Sequence, residues 1–303
     1  MRNILVVGSI NMDLVIKTDR FPSPGETIKG YGFSEIPGGK GANQAIAASR
    51  LGADVKMIGA VGRDTYGKTL LSNLESFGID CKAVMKKERN SGLALITVAD
   101  GENQIVLSEG ANYALIPEDI ANQTKLFKWA DIVVFQMEIP QEIILAAAKS
   151  AKENGAKVLL NCAPICPILP EIISLTDILV PNQHEAATIV GYTLDTPQKQ
   201  EQAVNDLMKK GIGQVIITLG SEGCIFNNDK EIQRCDAYKV KAVDTTAAGD
   251  CFIGAFCARY ADGASVTEAV SFATAASAIS VGRFGASSSI PEEKEVYEFI
   301  KGE

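Results

Sequence analysis

Short apolar runs alternate with amphipathic stretches along most of this chain of 303 residues, and this alternation is its strongest constraint on a fold. The runs are rich in β-branched residues and short, which is typical of parallel strands buried on both faces. They cover residues 3–9, 54–62, 131–136, 157–161, 177–182 and 214–220. Segments of helical period lie between them, at residues 41–52, 66–78, 141–155 and 196–211. The pattern predicts an α/β fold with three layers, α/β/α, around a mostly parallel central sheet.

Two regions depart from this alternation. Residues 13–36 alternate polar and apolar side chains around a Pro-Gly turn, and residues 91–109 read as a hairpin with a glycine in its turn. Amphipathic strands inserted into an α/β chain predict a small separate sheet, which could serve as a lid over a cleft. We therefore expect one domain over residues 1–303, with lid strands inserted at about 13–36 and 91–109.

Composition excludes several classes of protein. The net charge of −8 disfavours a nucleic-acid partner, and no stretch of the sequence reaches the 18 apolar residues expected of a membrane span. The N-terminal apolar run lacks the features of a signal peptide. Seven cysteines without a C-x-x-C pair predict reduced thiols and a cytoplasmic location. With His184 as the only histidine, a histidine-built metal site and Ser-His-Asp catalysis are both disfavoured.

Polar residues follow the predicted strands. Ligands of open parallel sheets bind beyond the carboxyl ends of the strands, so these residues mark a candidate site. Strand ends are often polar for no functional reason, and for any single one of these residues this explanation remains open. They are the stretch Ser9 to Asp13, then Glu138, Asn161, Asn182 with Glu185, and the stretch Gly220 to Gly223.

The segment "VDTTAAGDCFIGAF", residues 243–256, carries the clearest candidate for catalysis. A helix is predicted to start near Gly249 and Asp250, and the free N–H groups of its first turn form an anion site. Small residues before it let the backbone approach a ligand closely. Asp250 could act at that site, or it could be an N-cap residue and nothing more.

Three further segments are weaker signals. "PGGKGANQA" at residues 37–45 fails the spacing of a phosphate loop, but it could place Lys40 and Asn43 against sugar hydroxyls, or be a glycine-rich helix start. "PNQHEA" at 181–186 offers Asn182 and Glu185 to a hydrated Mg²⁺, or simply a helix cap. "TLGSEG" at 218–223 could contact a nucleotide or form a turn. The dinucleotide fingerprint G-x-G-x-x-G is absent, which disfavours a dehydrogenase.

Taken in order, "PGGKGANQA", "PNQHE" and "DTTAAGD" resemble the motifs of the PfkB sugar kinases. The resemblance extends over nearly the whole chain and includes "GSINMD", "FPSPGET", "EGANYAL", "TLGSEG" and "GRFGASSSIP". It implies an ATP-dependent kinase that phosphorylates the terminal hydroxyl of a pentose, converting D-ribose to ribose 5-phosphate. It also implies Mg²⁺, activation by a monovalent cation, usually K⁺, and a homodimer paired through the lid sheets.

The resemblance also implies roles for individual residues. Asp250 matches the catalytic base, and the backbone anion hole falls on Ala247, Ala248 and Gly249. The sugar-binding positions are Asn11, Asp13, Gly39, Lys40, Asn43 and Glu138. The positions for ATP and its Mg²⁺ are Asn182, Glu185, Thr218, Gly220, Ser221, Gly223, Gly249 and Thr274. The positions for K⁺, several of them backbone carbonyls, are Asp244, Thr246, Ser280, Arg283, Gly285 and Ser289.

Two positions depart from the family pattern. Thr274 stands where the family has a histidine beside adenine, and Ala247 stands at the second glycine of the generic signature. Other acceptors remain open at this point: deoxyribose, a nucleoside, fructose or a sugar phosphate. A different class, a non-catalytic sugar-binding protein on the same fold, predicts loss of the base or the anion hole, and both are present.

Overall fold

The computed structural model describes residues 2–100, 102–228 and 231–302. Gly101, the glycine predicted in the turn of the hairpin, lies outside the described residues, as do the terminal residues Met1 and Glu303 of the predicted domain. The strands are β1 Asn3–Val7, β2 Asn11–Lys17, β3 Tyr31–Gly38, β4 Asp54–Gly62, β5 Asp80–Lys87, β6 Gly92–Ala99, β7 Glu102–Ser108, β8 Ile132–Phe135, β9 Lys157–Leu160, β10 Ile178–Leu179, β11 Gln214–Thr218, β12 Cys224–Asn227 and β13 Ile232–Cys235.

A sheet of nine strands forms the centre of the molecule, in the order β13-β12-β11-β10-β9-β8-β1-β4-β5. Every neighbouring pair from β5 to β11 is parallel, and only β12 and β13 run antiparallel at one edge. The helices are α1 Lys40–Arg50, α2 Thr65–Ser76, α3 Pro117–Ala121, α4 Thr124–Trp129, α5 Gln141–Glu153, α6 Pro170–Leu175, α7 Gln183–Val190, α8 Pro197–Met208, α9 Ala248–Ala261, α10 Val266–Val281 and α11 Glu293–Lys301. This confirms the predicted α/β architecture with a mostly parallel sheet.

The alternation of side chains along β1 builds both faces of the core. Ile4 and Val6 pack into the cluster that includes α1, α9 and α10, whereas Leu5 and Val7 pack into the cluster that includes α5 and α8. All four side chains are buried. A strand covered by helices on both faces has no polar face, which is why this segment reads as a continuous apolar run.

The second sheet has four strands in the order β3-β2-β6-β7. It occupies the two regions predicted to stand apart, although β2 and β3 reach from Asn11 to Gly38, beyond the predicted limits of 13–36. Asn11 and Gly38 are register partners at the base of this sheet. The extra residues place the base of the small sheet directly against the carboxyl ends of the main strands.

Helices α1 and α9 cross closely because Gly254 has no side chain. A Cβ at this position would lie 2.4 Å from Ala47 Cβ and 2.8 Å from the carbonyl oxygen of Gln44. Any larger residue would therefore force the two helices apart. Their contact sets the distance between residues at the start of α1 and residues at the start of α9. Within the described part of the chain, no helix has the length and hydropathy to cross a membrane.

Candidate active site

The first turn of α9 brings a buried carboxylate next to unpaired backbone donors. Ala247, the N-cap residue, is in the left-handed conformation with φ 59°. Among the described residues, no acceptor takes the N–H groups of Ala247 and Gly249, whereas Ala248 N donates to Thr245 O at 3.2 Å. Two of the three predicted anion-hole donors are therefore free in this conformation. A helix N-terminus with free N–H groups attracts an anion.

Asp250 does not cap α9; its side chain turns instead toward α1. Its Oδ1 accepts from Gln44 Nε2 at 2.9 Å, and its Oδ2 accepts from Asn43 Nδ2 at 3.3 Å. The helix cap residue, Ala247, has no side-chain hydrogen bond to the first turn. The simple reading of Asp250 as an N-cap residue is therefore wrong, and its carboxylate is held by another helix.

Four charged side chains, Asp13, Lys40, Glu138 and Asp250, form what we call the carboxylate centre. Lys40 is the cation among them, and its main-chain N–H donates to Glu138 Oε2 at 3.3 Å. Ser9 also donates its hydroxyl to Glu138 Oε2. The four residues come from the small sheet, the start of α1, the loop after β8 and the start of α9. The fold thus collects three carboxylates around one ammonium group.

Burial dominates the acid–base behaviour of this centre. Desolvation, helped by the charges of Glu138 and Asp250, raises the pKa of Asp13 to about 7. Desolvation also raises the pKa of Glu138 and of Asp250 above their ordinary values, and Lys40 opposes that rise in both. Burial disfavours the charged form of Lys40, but the surrounding carboxylates outweigh it and its pKa is raised. Polar ligands that hydrogen-bond to these groups would replace the water they have lost.

Other predicted sugar-binding positions line the same centre. Asn11 Oδ1 accepts from Asn112 Nδ2 at 2.7 Å, which fixes the orientation of the Asn11 amide. Asn43 Oδ1 is buried and takes no hydrogen bond from the described residues. Gly39 lies at the turn between β3 and α1, where a Cβ would lie 2.7 Å from the main-chain nitrogen of Asn11. Close backbone approach at Gly39 therefore joins the small sheet to the start of α1.

Asn182 and Glu185 form a complete capping box at the start of α7. Asn182 Oδ1 accepts from Glu185 N, and Glu185 Oε2 accepts from Asn182 N, each at 2.8 Å. This is the helix cap that the sequence left open as an alternative. The Glu185 side chain is buried, and its charge contributes to the raised pKa of Lys40. Asn182 bridges to Thr218 on β11, which places this pair beside the predicted nucleotide loop.

A cavity of about 880 Å³ opens on the other side of α9. We call it the loop-walled cavity, because irregular segments after β11 and β13 form much of its wall. Predicted nucleotide positions Thr218, Gly220, Ser221, Gly223, Gly249 and Thr274 all line it. Its wall also contains residues that the sequence did not reveal, among them Arg234, Tyr238, Ala242, Ser277 and Val281.

Most of the predicted K⁺ positions lie in two loops that Asp244 joins, and Ser280 lies in the last turn of α10. Its Oδ1 accepts from Thr246 N at 2.9 Å, and its Oδ2 accepts from Gly285 N at 3.0 Å. Burial raises the pKa of Asp244, but these hydrogen bonds outweigh it and the net pKa is lowered, so the carboxylate is ionised. Buried Ser280 and Ser289 share a hydrogen bond of 2.7 Å between their hydroxyls. Arg283 directs its guanidinium to Glu295, which leaves only its backbone for a cation.

The structure adds buried amides that sequence reasoning missed. Gln44 and Asn112 both lie within motifs that carried the family resemblance, so a signal for them existed. Gln136 follows β8, and its Nε2 donates to Gln44 Oε1 at 2.6 Å. That contact joins residues 92 positions apart in the chain, so no local sequence pattern could have predicted it. His184, the only histidine of the sequence, is exposed.

Comparison with known proteins gives consistent matches over the full chain. The model of the pfkB family carbohydrate kinases matches residues 1–293. A ribokinase of Schizosaccharomyces pombe is 44% identical over 309 residues, covering 98% of this chain and 97% of that protein. A deoxyribokinase of Salmonella typhimurium is 36% identical over 301 residues, covering 98% of each chain.

The solved structures agree with this result. The structure of Arabidopsis thaliana ribokinase, complexed with ribose and ATP, superposes with a TM-score of 0.93 at 33% sequence identity. The match covers 98% of each chain. The shared fold therefore includes both the nine-stranded sheet and the small sheet beside it.

Proposed function

Because the chain belongs to the pfkB family of carbohydrate kinases, we propose that it transfers the γ-phosphoryl group of ATP to the O5 hydroxyl of D-ribose. Full-length similarity to ribokinases supports this acceptor, and the similarity to a ribokinase complexed with ribose and ATP supports this pair of substrates. The product is ribose 5-phosphate, with ADP released.

One observation carries the proposal: consecutive residues at the start of α9 face two different sites. Gly249 lines the loop-walled cavity, and Asp250 turns into the carboxylate centre. A nucleotide in the cavity would thus direct its phosphates to the same helix terminus that holds the carboxylate. Phosphoryl transfer depends on such alignment of donor and acceptor and on charge neutralisation, more than on covalent help from the protein.

Ribose binding is assigned to the carboxylate centre and the amides around it. Asp13 can accept hydrogen bonds from two neighbouring hydroxyls, while Lys40 and Asn43 offer donors. Asn43 Oδ1, which is buried and takes no hydrogen bond from the described residues, adds a further acceptor. Sugar hydroxyls would satisfy groups that are otherwise desolvated, so an analogue that lacks a hydroxyl leaves a buried partner unpaired.

In the proposed mechanism, Asp250 accepts the proton of the ribose O5 hydroxyl as that oxygen attacks the γ-phosphorus. A positioned base of this kind contributes roughly 10²- to 10⁴-fold to the rate. The free N–H groups of Ala247 and Gly249 donate to oxygens of the transferring group, and one such donor is worth about 3–4 kcal/mol. Ala248 would join them on release of its 3.2 Å bond to Thr245 O.

The residues present fit the two cations that such a kinase would use. Glu185 and Asn182 offer carboxylate and amide oxygens beside the nucleotide loop, and their use in the capping box leaves lone pairs for the water shell of Mg²⁺. When bound, Mg²⁺ neutralises charge on the phosphates. Asp244, the Ser280 hydroxyl and backbone carbonyls of residues 283–289 form an oxygen-only set suited to K⁺. That site would stiffen the loop next to the anion hole.

The exposed small sheet supports a homodimer. Its outer strands, β3 and β7, present large apolar side chains to solvent: Tyr31, Phe33, Ile105, Val106 and Leu107. An exposed apolar edge of this kind invites pairing with another strand. We propose that a second copy covers it and that the sheet acts as a lid over ribose. The seven free thiols support a reducing, cytoplasmic location.

A second acceptor, 2-deoxyribose, is favoured by the similarity to a deoxyribokinase. Both sugars carry the same primary hydroxyl, so Asp250 would serve either. The measurement that separates them is chromatographic quantification of the ADP released, without coupling enzymes, with ribose, 2-deoxyribose, fructose and a nucleoside compared in K⁺ buffer and in Na⁺ buffer. We expect the highest kcat/KM with ribose and a lower rate in Na⁺. If the protein phosphorylates none of these substrates, the proposed function is wrong. If it prefers 2-deoxyribose, then 2-deoxyribose and not ribose is the acceptor.

A further inference from the structure

Asp250 is held by a chain of buried amides that consists of Gln44, Asn161 and Gln136. Gln44 Nε2 lies between two acceptors, Asp250 Oδ1 at 2.9 Å and Asn161 Oδ1 at 3.1 Å. Gln44 is 1% exposed and Gln136 is fully buried, so water contributes little to either. Buried polar groups in such a network are costly unless paired, so their arrangement calls for a physical reason.

The orientation of each amide follows from the one before it. Asn161 Nδ2 donates to the carbonyl oxygen of Val180 at 2.9 Å, and a carbonyl oxygen can only accept. Asn161 must therefore present its Oδ1 to Gln44, and Gln44 must answer with its Nε2. The Oε1 of Gln44 then faces away, where Gln136 Nε2 meets it at 2.6 Å.

Gln136, at the far end of this chain of amides, is constrained by the space that Gly8 leaves for it. Gln136 Oε1 accepts no hydrogen bond from the described residues. A Cβ on Gly8 would lie only 1.9 Å from this oxygen, so the glycine after β1 leaves the room that Gln136 occupies. Leaving a buried acceptor unpaired costs about 1–3 kcal/mol. The amide is thus kept with its donor toward Gln44, although the opposite end remains unsatisfied.

We propose that Gln44 is a positioning residue for the catalytic base and that Gln136 and Asn161 lock its amide with the donor toward Asp250. This inference rests on the proposed function. With Gln44 so locked, Asp250 Oδ1 receives a fixed hydrogen bond, and Oδ2 is left to Asn43 and the sugar hydroxyl. A flipped Gln44 would instead present an oxygen to the carboxylate, which repels it and turns it out of line.

The chemistry expected from this lock is electrostatic as well as geometric. Desolvation of Asp250 works against its ionised form, whereas the charge of Lys40 and the donors of Gln44 and Asn43 favour that form. The base must be ionised to accept a proton. Removing the donor should therefore raise the pKa of Asp250, which moves the acid limb of the kcat profile to higher pH.

Replacement of each glutamine by methionine tests the lock, since methionine keeps the length of the side chain and lacks the donor. For Gln44→Met we expect kcat about 10- to 100-fold lower, KM for ribose within about threefold, and the acid limb raised by about one pH unit. Gln136→Met leaves Gln44 in place but free to flip, so we expect a smaller loss with a shift of the same sign. Gln136→Glu offers only acceptors to Gln44 when the carboxylate is ionised, so at a pH high enough to ionise it this variant should drive the flip and cost more than Gln136→Met.

Gln214→Met is the matched control, because Gln214 is a buried glutamine in β11 that hydrogen-bonds to Asn227, away from Asp250. It removes a buried amide without touching the lock, so it should leave the acid limb where it is. Loss of activity in Gln44→Met without a shift of the limb, or the same shift in Gln214→Met, would overturn the proposal. Wild-type kcat in Gln44→Met would overturn it as well.

A carbon-13 NMR titration of the Asp250 carboxyl in the ligand-free protein separates this proposal from the function it rests on. The proposal predicts a higher pKa in Gln44→Met than in the wild type, whether or not ribose is the acceptor. If Asp250 has the same pKa in Gln44→Met as in the wild type, and the wild type phosphorylates ribose, then the proposed lock is wrong and the proposed function stands. A raised pKa in a protein that phosphorylates no sugar would defeat the function alone. If Gln44→Met does not fold, the same titration on Gln136→Met decides.

Discussion

The carboxylate centre and the loop-walled cavity lie on opposite sides of one helix terminus and are built by opposite means. The centre consists of charged side chains on four elements, held by buried amides and crossing helices. The cavity is walled in large part by glycines, small residues and irregular segments, including the exposed stretch from Tyr238 to Ala242, with a few charged side chains such as Arg234. One site thus depends on the identity of side chains, and the other on the path of the backbone.

The difference teaches where substitutions should matter. A sugar presents many hydroxyls of fixed geometry, and each needs a partner of the right kind, so losing one side chain leaves a buried group unpaired. A nucleotide base and its phosphates can be held by shape and by the backbone N–H groups that every residue except proline possesses. Four substitutions test this contrast, given from the largest expected effect to the smallest.

Asp250→Asn removes the base and nearly preserves the shape of the carboxylate centre. We expect kcat to fall about 10²- to 10⁴-fold, because the asparagine accepts no proton from the sugar hydroxyl. The affinity for ATP should change little. Steady-state kinetics with ribose and with ATP would measure both effects. Glu171→Gln, at an exposed position of α6, controls for the loss of one charge. A kcat within tenfold of the wild type would contradict the role of Asp250.

Asp13→Asn should weaken ribose binding, and it should make the ligand-free protein more stable than the wild type only at higher pH. We expect a rise in KM for ribose that corresponds to about 1–3 kcal/mol. The pKa of Asp13 is raised to about 7 in the folded protein, above its ordinary value. Its contribution to stability is therefore fully present below the unfolded pKa and lost as pH rises through about 7.

The stability arm of that test compares unfolding by urea at two values of pH, without sugar. Near pH 4 the wild-type carboxyl is protonated, so the variant and the wild type should have similar free energies of unfolding. Near pH 8 the wild type carries a desolvated charge, and we expect Asp13→Asn to be more stable by about 1–3 kcal/mol. A variant less stable than the wild type at the higher pH would show that Asp13 is not strained by burial.

Ala247→Gly tests the backbone side of the contrast. Ala247 has φ 59°, a conformation that costs an ordinary residue about 1–2 kcal/mol. Glycine would remove this strain, but it would lose roughly 0.5–1 kcal/mol more backbone entropy on folding than alanine does. We expect a gain of up to about 1 kcal/mol in the free energy of unfolding, measured by urea. Ala261→Gly, at the end of the same helix, should lower stability instead. Loss of stability in Ala247→Gly would contradict the strain.

Thr274→Ala should have the smallest effect of the four. Thr274 lines the cavity, but its hydroxyl donates to Val270 O at 2.9 Å within its own helix. That hydroxyl is therefore satisfied without a nucleotide. We expect KM for ATP to change less than about threefold, with KM for ribose unchanged. A tenfold rise in KM for ATP would show that side chains specify the nucleotide after all.

Features that depend on specific side chains or on a periodic pattern could be predicted from the sequence, whereas features that depend on the path of the backbone could not. The central strands and long helices are predictable because a buried parallel strand and an amphipathic helix each leave a periodic pattern. Strand β5 was missed because charged residues break its apolar run. Strands β12 and β13 were missed because they form an antiparallel edge, where no helix separates the strands and the strand–helix alternation gives no signal. In the carboxylate centre, Asp13, Lys40 and Asp250 lie in recognised motifs, and Glu138 was named from its place after a predicted strand and from the family resemblance.

Part of the wall of the loop-walled cavity could not be named in the same way. The irregular stretch at residues 236–242 lines the cavity, and its mostly exposed residues of mixed character carry no motif. The lock on Asp250 was invisible for a different reason. Gln44 lies in a recognised motif, but its partners Gln136 and Asn161 come from distant strands, and only the folded chain brings them together.

The central claim is that Asp250 and the start of α9 direct phosphate to one hydroxyl of the sugar. Carbon-13 and phosphorus-31 NMR of the product from uniformly labelled ribose and ATP test it directly, because coupling to phosphorus identifies the carbon that bears the ester. We predict that the wild-type protein yields a single product with phosphorus coupled to C5 and C4. A phosphoester on C1 or another secondary position, or ATP hydrolysis without a sugar phosphate, would contradict the account.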